Sequence, residues 1–227
     1  LLTKAMPHKT TFLNYRSALA LTVVIVLSGI SFPLIKIFFG EMQPIAMAFL
    51  RSLIALPLLL AVAYYRNPNI KGVLKNWKAL LLVGVIGVTA YQLLQNFGLV
   101  YATASESSVL LCTDPIWIAI MASAFLKEKL DAKKIVGIVV AFVGMSAIVL
   151  RGSAGTFTFT PLGVFGDLLA VGGAFSWALF SVYGKKVLEK VSPYDRSAYM
   201  TLFGTILLGA RTFGWEGFSL PVSLGGW

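Results

Sequence analysis

Arg51 and Asp114 are charged residues set inside long apolar runs, and a third run carries Tyr91, Gln92, Gln95 and Asn96 at i, i+1, i+4 and i+5. An ionisable group in a bilayer costs roughly 2.5–3.5 kcal/mol on insertion scales, so each needs a partner, a wet cavity or a function. Together they offer the chemistry of zwitterion recognition. Arg51 would attract a carboxylate and Asp114 an ammonium, with Tyr91 or Trp117 against the solute's side chain. Simpler readings stand beside this one: Arg51 snorkels outward or braces the fold, Asp114 pairs structurally, or the two pair with each other. The four residues of the third run share one broad helix face that does not look at lipid. It either hydrogen-bonds to neighbouring helices or lines a wet cavity.

Other residues fall at comparable depth. Ser28 and Ser31 either touch solute or bond back to their own backbone beside Gly29. Trp117 and Trp177 each carry an indole N–H that needs an acceptor, which makes them candidate pocket walls or interfacial anchors. Pro33, Pro57 and Pro115 interrupt helical runs, with Pro33 and Pro115 the candidate kinks or gates. Gly137, Ala141 and Gly144 form a small-residue stripe suited to close helix packing.

Enzymatic and metal chemistry find little material. His8 is the only histidine and precedes every apolar run, and Cys112 is the only cysteine, so no intramolecular disulfide or thiolate metal cluster can form. No Gly-x-Ser-x-Gly or metal-spaced cluster occurs. The sequence implies no catalytic residue, no metal site and no cofactor.

The elements that carry these residues are membrane helices. The chain is 58% hydrophobic and 12% charged, with mean hydropathy +0.84, too apolar to cover itself with a water-compatible surface. Its apolar stretches run roughly 17 to 23 residues, the length a helix needs to span a bilayer. Seven are expected, near 17–35, 44–65, 79–100, 107–126, 135–150, 162–183 and 198–213. They lack the alternation of barrel strands, and six spans after the first argue against a cleaved leader. The fold class is an all-α polytopic membrane protein.

The formal charge of +10 would suggest nucleic acid in a soluble protein. Here the basic residues collect on alternate connections. They cluster before the first span, between the second and third, between the fourth and fifth, and after the sixth. The others hold only Lys36, Arg151 and Arg211. By the positive-inside rule this places the N-terminus in the cytoplasm of a multi-pass protein of the cell inner (plasma) membrane. The implied partners are membrane lipid and a small-molecule substrate, with no nucleic acid. On that topology Arg51 lies roughly 10 Å and Asp114 roughly 13 Å from the outer surface. Asp114 is the deep carboxylate available for proton coupling; oligomeric state has no signature here.

An internal repeat is visible. Lys36 precedes Pro44 as Lys185 precedes Pro193, and 185 minus 36 and 193 minus 44 both give 149. The same shift sets Ser28 opposite Trp177, and Trp77 has a near-counterpart in Trp227. Five spans separate equivalent points, so the second unit runs through the membrane inverted. The loop charges invert with it. Inverted repeats recur in secondary transporters, whose site lies near the midplane between the units.

Taken together, SGISFPLIKIFFGEMQPIAMAFLR, GVTAYQLLQNFGLVYATASESSVLLCTDPIWIAIMASAFLKEKL and KKIVGIVVAFVGMSAIVL resemble the EamA-type family of the drug/metabolite transporter superfamily. The shared pattern runs through Lys36, Pro44 and Arg51, then Ala104, Ser105 and Glu106, then Pro115, Glu128, Gly137 and Gly144. Gly166 to Pro193 opens a second unit in the same way. The resemblance implies ten helices in two inverted five-helix units. This chain begins at Leu1 without Met and is expected to stop before the eighth helix, carrying seven. Residues 1–16 would be a cytoplasmic tail, 17–150 the first unit, 151–161 an extracytoplasmic linker and 162–227 part of the second. The activity implied is alternating-access export of amino acids or related small metabolites; a passive facilitator and a non-transporting membrane partner protein are the alternatives.

Overall fold

A computed structural model of the chain describes residues 15–38, 42–66, 70–111, 113–127, 131–150, 161–189 and 191–216. Helix is the regular structure among them: α1 (Tyr15–Phe38), α2 (Pro44–Tyr65), α3 (Ile70–Lys75), α4 (Trp77–Gly84), α5 (Tyr91–Tyr101), α6 (Ala104–Leu111), α7 (Asp114–Leu126), α8 (Ala132–Leu150), α9 (Pro161–Val187) and α10 (Pro193–Arg211). A π-helical stretch, Val85–Ala90, fuses α4 to α5, and another, Thr212–Glu216, extends α10. Four segments among the described residues are long and apolar enough to cross a membrane: Pro44–Tyr65, Trp77–Tyr101, Ala104–Leu126 and Pro161–Val187. Cys112, Glu128, Trp227 and the side chain of Trp215 lie outside the described residues.

Local chemistry sets the helix starts. Pro44 and Pro193 occupy the first turns of α2 and α10, where a missing N–H costs nothing. Thr103 and Glu106 form a capping box at α6: the Thr103 N–H and hydroxyl donate to Glu106 Oε2 at 3.0 and 2.8 Å, and the Glu106 N–H donates to Thr103 Oγ1 at 3.2 Å. α6 is described as far as Leu111 and α7 from Asp114, with Pro115 in its first turn. Pro33, in contrast, sits within an unbroken α1.

Small residues decide the crossings. α5 and α9 run antiparallel and meet where Gly98 faces Gly166; a Cβ on Gly166 would come within 2.8 Å of the Ala102 nitrogen and 2.9 Å of the Gly98 carbonyl. Both neighbours are backbone and cannot turn aside. α10 runs alongside α4 and the π-helical stretch, with Gly84 against Met200 and Gly204 against Val88. It crosses α2 in the opposite direction, Gly209 lying under Phe49 and Tyr194 under the Arg66 guanidinium at 5.2 Å. The Gly137 and Gly144 stripe of α8, expected to pack closely, has nothing within 4 Å among the described residues. That role passes to the glycines of α4, α5, α9 and α10.

Two apolar clusters close the ends of this bundle. Val73, Leu80, Val83, Leu188, Val191 and Met200 pack at one end, and Ile35, Met42, Ala46, Met47 and Leu99 at the other. Outside, large apolar side chains are exposed, Ile54 and Leu58 at 69% each, as a lipid-facing surface requires. Replacing Gly166 with Ala should destabilise the full-length protein by about 1–3 kcal/mol in thermal unfolding in detergent. Gly172→Ala, whose nearest neighbours are Leu94 methyls at 3.7 Å, should be neutral or slightly stabilising in the same measurement.

Candidate substrate site

The polar face of α5 is aimed by the π-helical stretch before it. The Tyr91 N–H bonds to the Ile86 carbonyl, five residues back. One added residue turns everything after it by roughly 100° relative to α4. Ser176 on α9 donates to the same Ile86 carbonyl at 2.7 Å, and Thr89 donates to the Gly204 carbonyl at 3.3 Å, so two neighbouring helices hold the wide turn. Phe180 packs against Gly87, where a side chain would collide with its ring.

From there Gln92 and Asn96 face α2: Gln92 Nε2 donates to Ser52 Oγ at 2.6 Å, and Asn96 Nδ2 to the Pro44 carbonyl at 2.8 Å. Tyr91 turns toward α9. The Tyr91 ring lies 5.0 Å from Trp177, which continues to Phe180 at 4.8 Å, and the backbone of Gln95 meets Gly173 where Leu111 also approaches. Interhelical bonding thus accounts for the amide nitrogens of Gln92 and Asn96. It leaves their oxygens over: Gln92 Oε1, Gln95 Oε1 and Asn96 Oδ1 are buried without a hydrogen-bond partner.

The two expected charges lie on helices that flank α5 and α9. Arg51 adjoins Ser52, which Gln92 holds, and Asp114 opens α7, which packs on α9 through Trp117 and Phe175. Arg51 Nη1 and Asp114 Oδ1 are buried without partners, so these two atoms do not satisfy each other. Asp114 stands in the first turn of α7, where the positive end of the helix dipole favours a carboxylate. Arg51 on α2, Tyr91, Gln92, Gln95 and Asn96 on α5, Asp114 on α7 and Trp177 on α9 therefore sit on helices that pack around α5 and α9.

Three expected members stand apart. Trp117 stacks edge-on against Phe175 at 5.5 Å, on a different face of α9 from Trp177. Ser28 is exposed, and Ser31 donates to the Ser28 carbonyl at 2.6 Å, the backbone back-bond that competes with a solute role. An apolar recess of about 380 Å³ lined by Leu93, Leu94, Phe97, Tyr101, Phe165 and Leu169 holds none of the polar residues. Ser52, Ser176 and Phe180 were not singled out by sequence. Ser52 adjoins Arg51, the one signal that pointed its way.

A double-mutant cycle of Ser52→Ala and Gln92→Leu, read by unfolding in mixed detergent, should return a coupling of about 0.6–1.7 kcal/mol. A cycle of Trp117→Leu with Gln92→Leu should return about zero.

Relatives place this arrangement. The EamA-like transporter family model matches residues 16–150 and 164–227. An uncharacterized transporter of Archaeoglobus fulgidus is 31% identical over 93% of this chain and 71% of its own length. The uncharacterized transporter YvbV of Bacillus subtilis is 30% identical over 90% of this chain, which spans 65% of that relative's length. A solved crystal structure, 22% identical, superposes with a TM-score of 0.62 over 87% of this chain and 70% of the other, a likeness of fold. The chain belongs to the EamA-like transporter family, membrane transporters rather than enzymes, within the drug/metabolite transporter superfamily.

Proposed function

We propose that the protein is a secondary transporter of the plasma membrane that exports amino acids or related small metabolites by alternating access. One observation carries the reading: a guanidinium, a carboxylate and three amide oxygens, each with an unpartnered buried atom, lie on α2, α5 and α7 of one bundle. Such groups are costly in a bilayer interior unless a polar solute or water meets them. Arg51 then receives the carboxylate of the solute and Asp114 its ammonium, while Tyr91 and Trp177 shape the space for the remainder.

Two further features support it. Asp114 stands in the first turn of α7, and a helix N-terminus at the site is a recurrent device of transporters that bind solute at mid-membrane. The antiparallel packing of α2 with α10, the helices opened by Pro44 and Pro193, supports inverted units meeting around the site. On this reading the chain carries seven spans of a ten-helix protein with a cytoplasmic N-terminus, and Asp114 is the group through which protons would couple.

Proteoliposomes containing the full-length protein and preloaded with a panel of radiolabelled amino acids test the proposal. Efflux of at least one should fall roughly tenfold or more on Asp114→Asn and on Arg51→Gln, and by less on Gln92→Ala. Efflux that both charge substitutions leave intact would remove these residues from solute recognition. No movement of any solute, with or without an imposed proton gradient, would sink the transporter reading for amino acids.

A further inference from the structure

Lys36, at the end of α1, belongs to none of the polar groups around Tyr91. Its ammonium donates to the carbonyl of Leu99 and to that of Ala102 at 2.8 Å, with Val100 farther off at 3.4 Å. The carbonyls of a helix's last turn lack intrahelical partners and carry the negative end of its dipole, so a lysine there neutralises the end of α5. The following turn is fastened from its other side by the Thr103–Glu106 capping box. Beneath the lysine, Ile35, Ala46 and Leu99 are buried together, sealing that end of the bundle below the reach of water.

The opposite end carries a second lysine contact. Lys186, near the end of α9, donates to the Phe125 carbonyl in the last turn of α7 at 3.3 Å. Since α5 and α9 are antiparallel, the two lysines hold opposite ends of the bundle. They also occupy nearly equivalent places in the sequence repeat, at the ends of the helices that open each unit. The two contacts are unequal: Lys36 is part-buried on several carbonyls, whereas Lys186 is exposed on one.

We propose that Lys36 and Lys186 are positioning residues forming a pair of helix-end latches, and that release of the Lys36 latch opens the mouth beside Ala46. In the conformation described, the Lys36 latch is shut and the Lys186 latch is slack; the exchange of one for the other accompanies movement of the site's access from side to side. The proposal rests on the alternating-access reading.

The test is thiol accessibility in the full-length protein carrying Cys112→Ala and Ala46→Cys, reconstituted in vesicles, with a membrane-impermeant maleimide as probe. Lys36→Met should raise the labelling rate at position 46 roughly tenfold. Lys36→Arg, which keeps charge and donors, should hold it near the parent rate, and Lys186→Met should leave it unchanged or lower it. Should Lys36→Met fail to give monodisperse protein, Lys36→Gln replaces it with an expected rise of roughly threefold. Equal rates in the parent and the charge-removed variant, or an equal rise with Lys186→Met, would overturn the latch. Labelling requires no solute, so a latch that responds in a protein that moves nothing would separate this inference from the transport reading.

Discussion

A polar helix face enclosed in an otherwise apolar bundle is the constraint from which the rest of the architecture follows. Tyr91, Gln92, Gln95 and Asn96 cannot face acyl chains, so α5 has to be surrounded by other helices. Surrounding it closely requires backbones that approach without side chains between them. Gly98 against Gly166, Gly84 against Met200 and Gly204 against Val88 supply that approach. In lipid there is no hydrophobic force between helices, so close packing and the bonds from Gln92 to Ser52 and from Asn96 to Pro44 hold the centre together.

The enclosure remains incomplete in its polar bookkeeping. Each amide nitrogen that faces α2 finds a partner, while the oxygens beside them, together with Asp114 Oδ1 and Arg51 Nη1, find none. Packing alone would favour removing such groups. Their presence on α2, α5 and α7, beside a π-helical stretch, is the ground for proposing a solute site rather than a structural hydrogen-bond network. The wide turn held by Ser176 and Thr89 is a point at which the helix of α4 and α5 can bend without unpacking its ends.

Much of this was legible in the residues because membrane helices obey simple rules. Continuous apolar length located the four long apolar spans, and Pro44 marked the start of α2, whereas α10 begins at Pro193, five residues before the run expected from 198. Other features depend on contacts between distant segments. Nothing in VIGVTA announces a π-helix; it becomes favourable when Ser176 and Thr89 tie it to α9 and α10. Pro115 stands within a continuous apolar run in the sequence and in the first turn of α7 in the structure. Trp117 and Trp177 looked alike in sequence, and which face of α9 each meets separates them. Gly137 and Gly144 resembled packing glycines by spacing, yet the glycines that meet backbone here are isolated ones in α4, α5, α9 and α10.

The proposed solute site requires this polar interior to be wet and open to solute. Its most direct test is reaction of a small hydrophilic thiol reagent with single cysteines at positions 91, 95 and 114 of the full-length protein without Cys112, beside cysteines at the lipid-facing positions 54 and 58. The account predicts that the first three react, and that transported solute protects them, while the last two do not. If positions 91, 95 and 114 prove as inert as 54 and 58, the polar groups are a dry structural network and the site lies elsewhere.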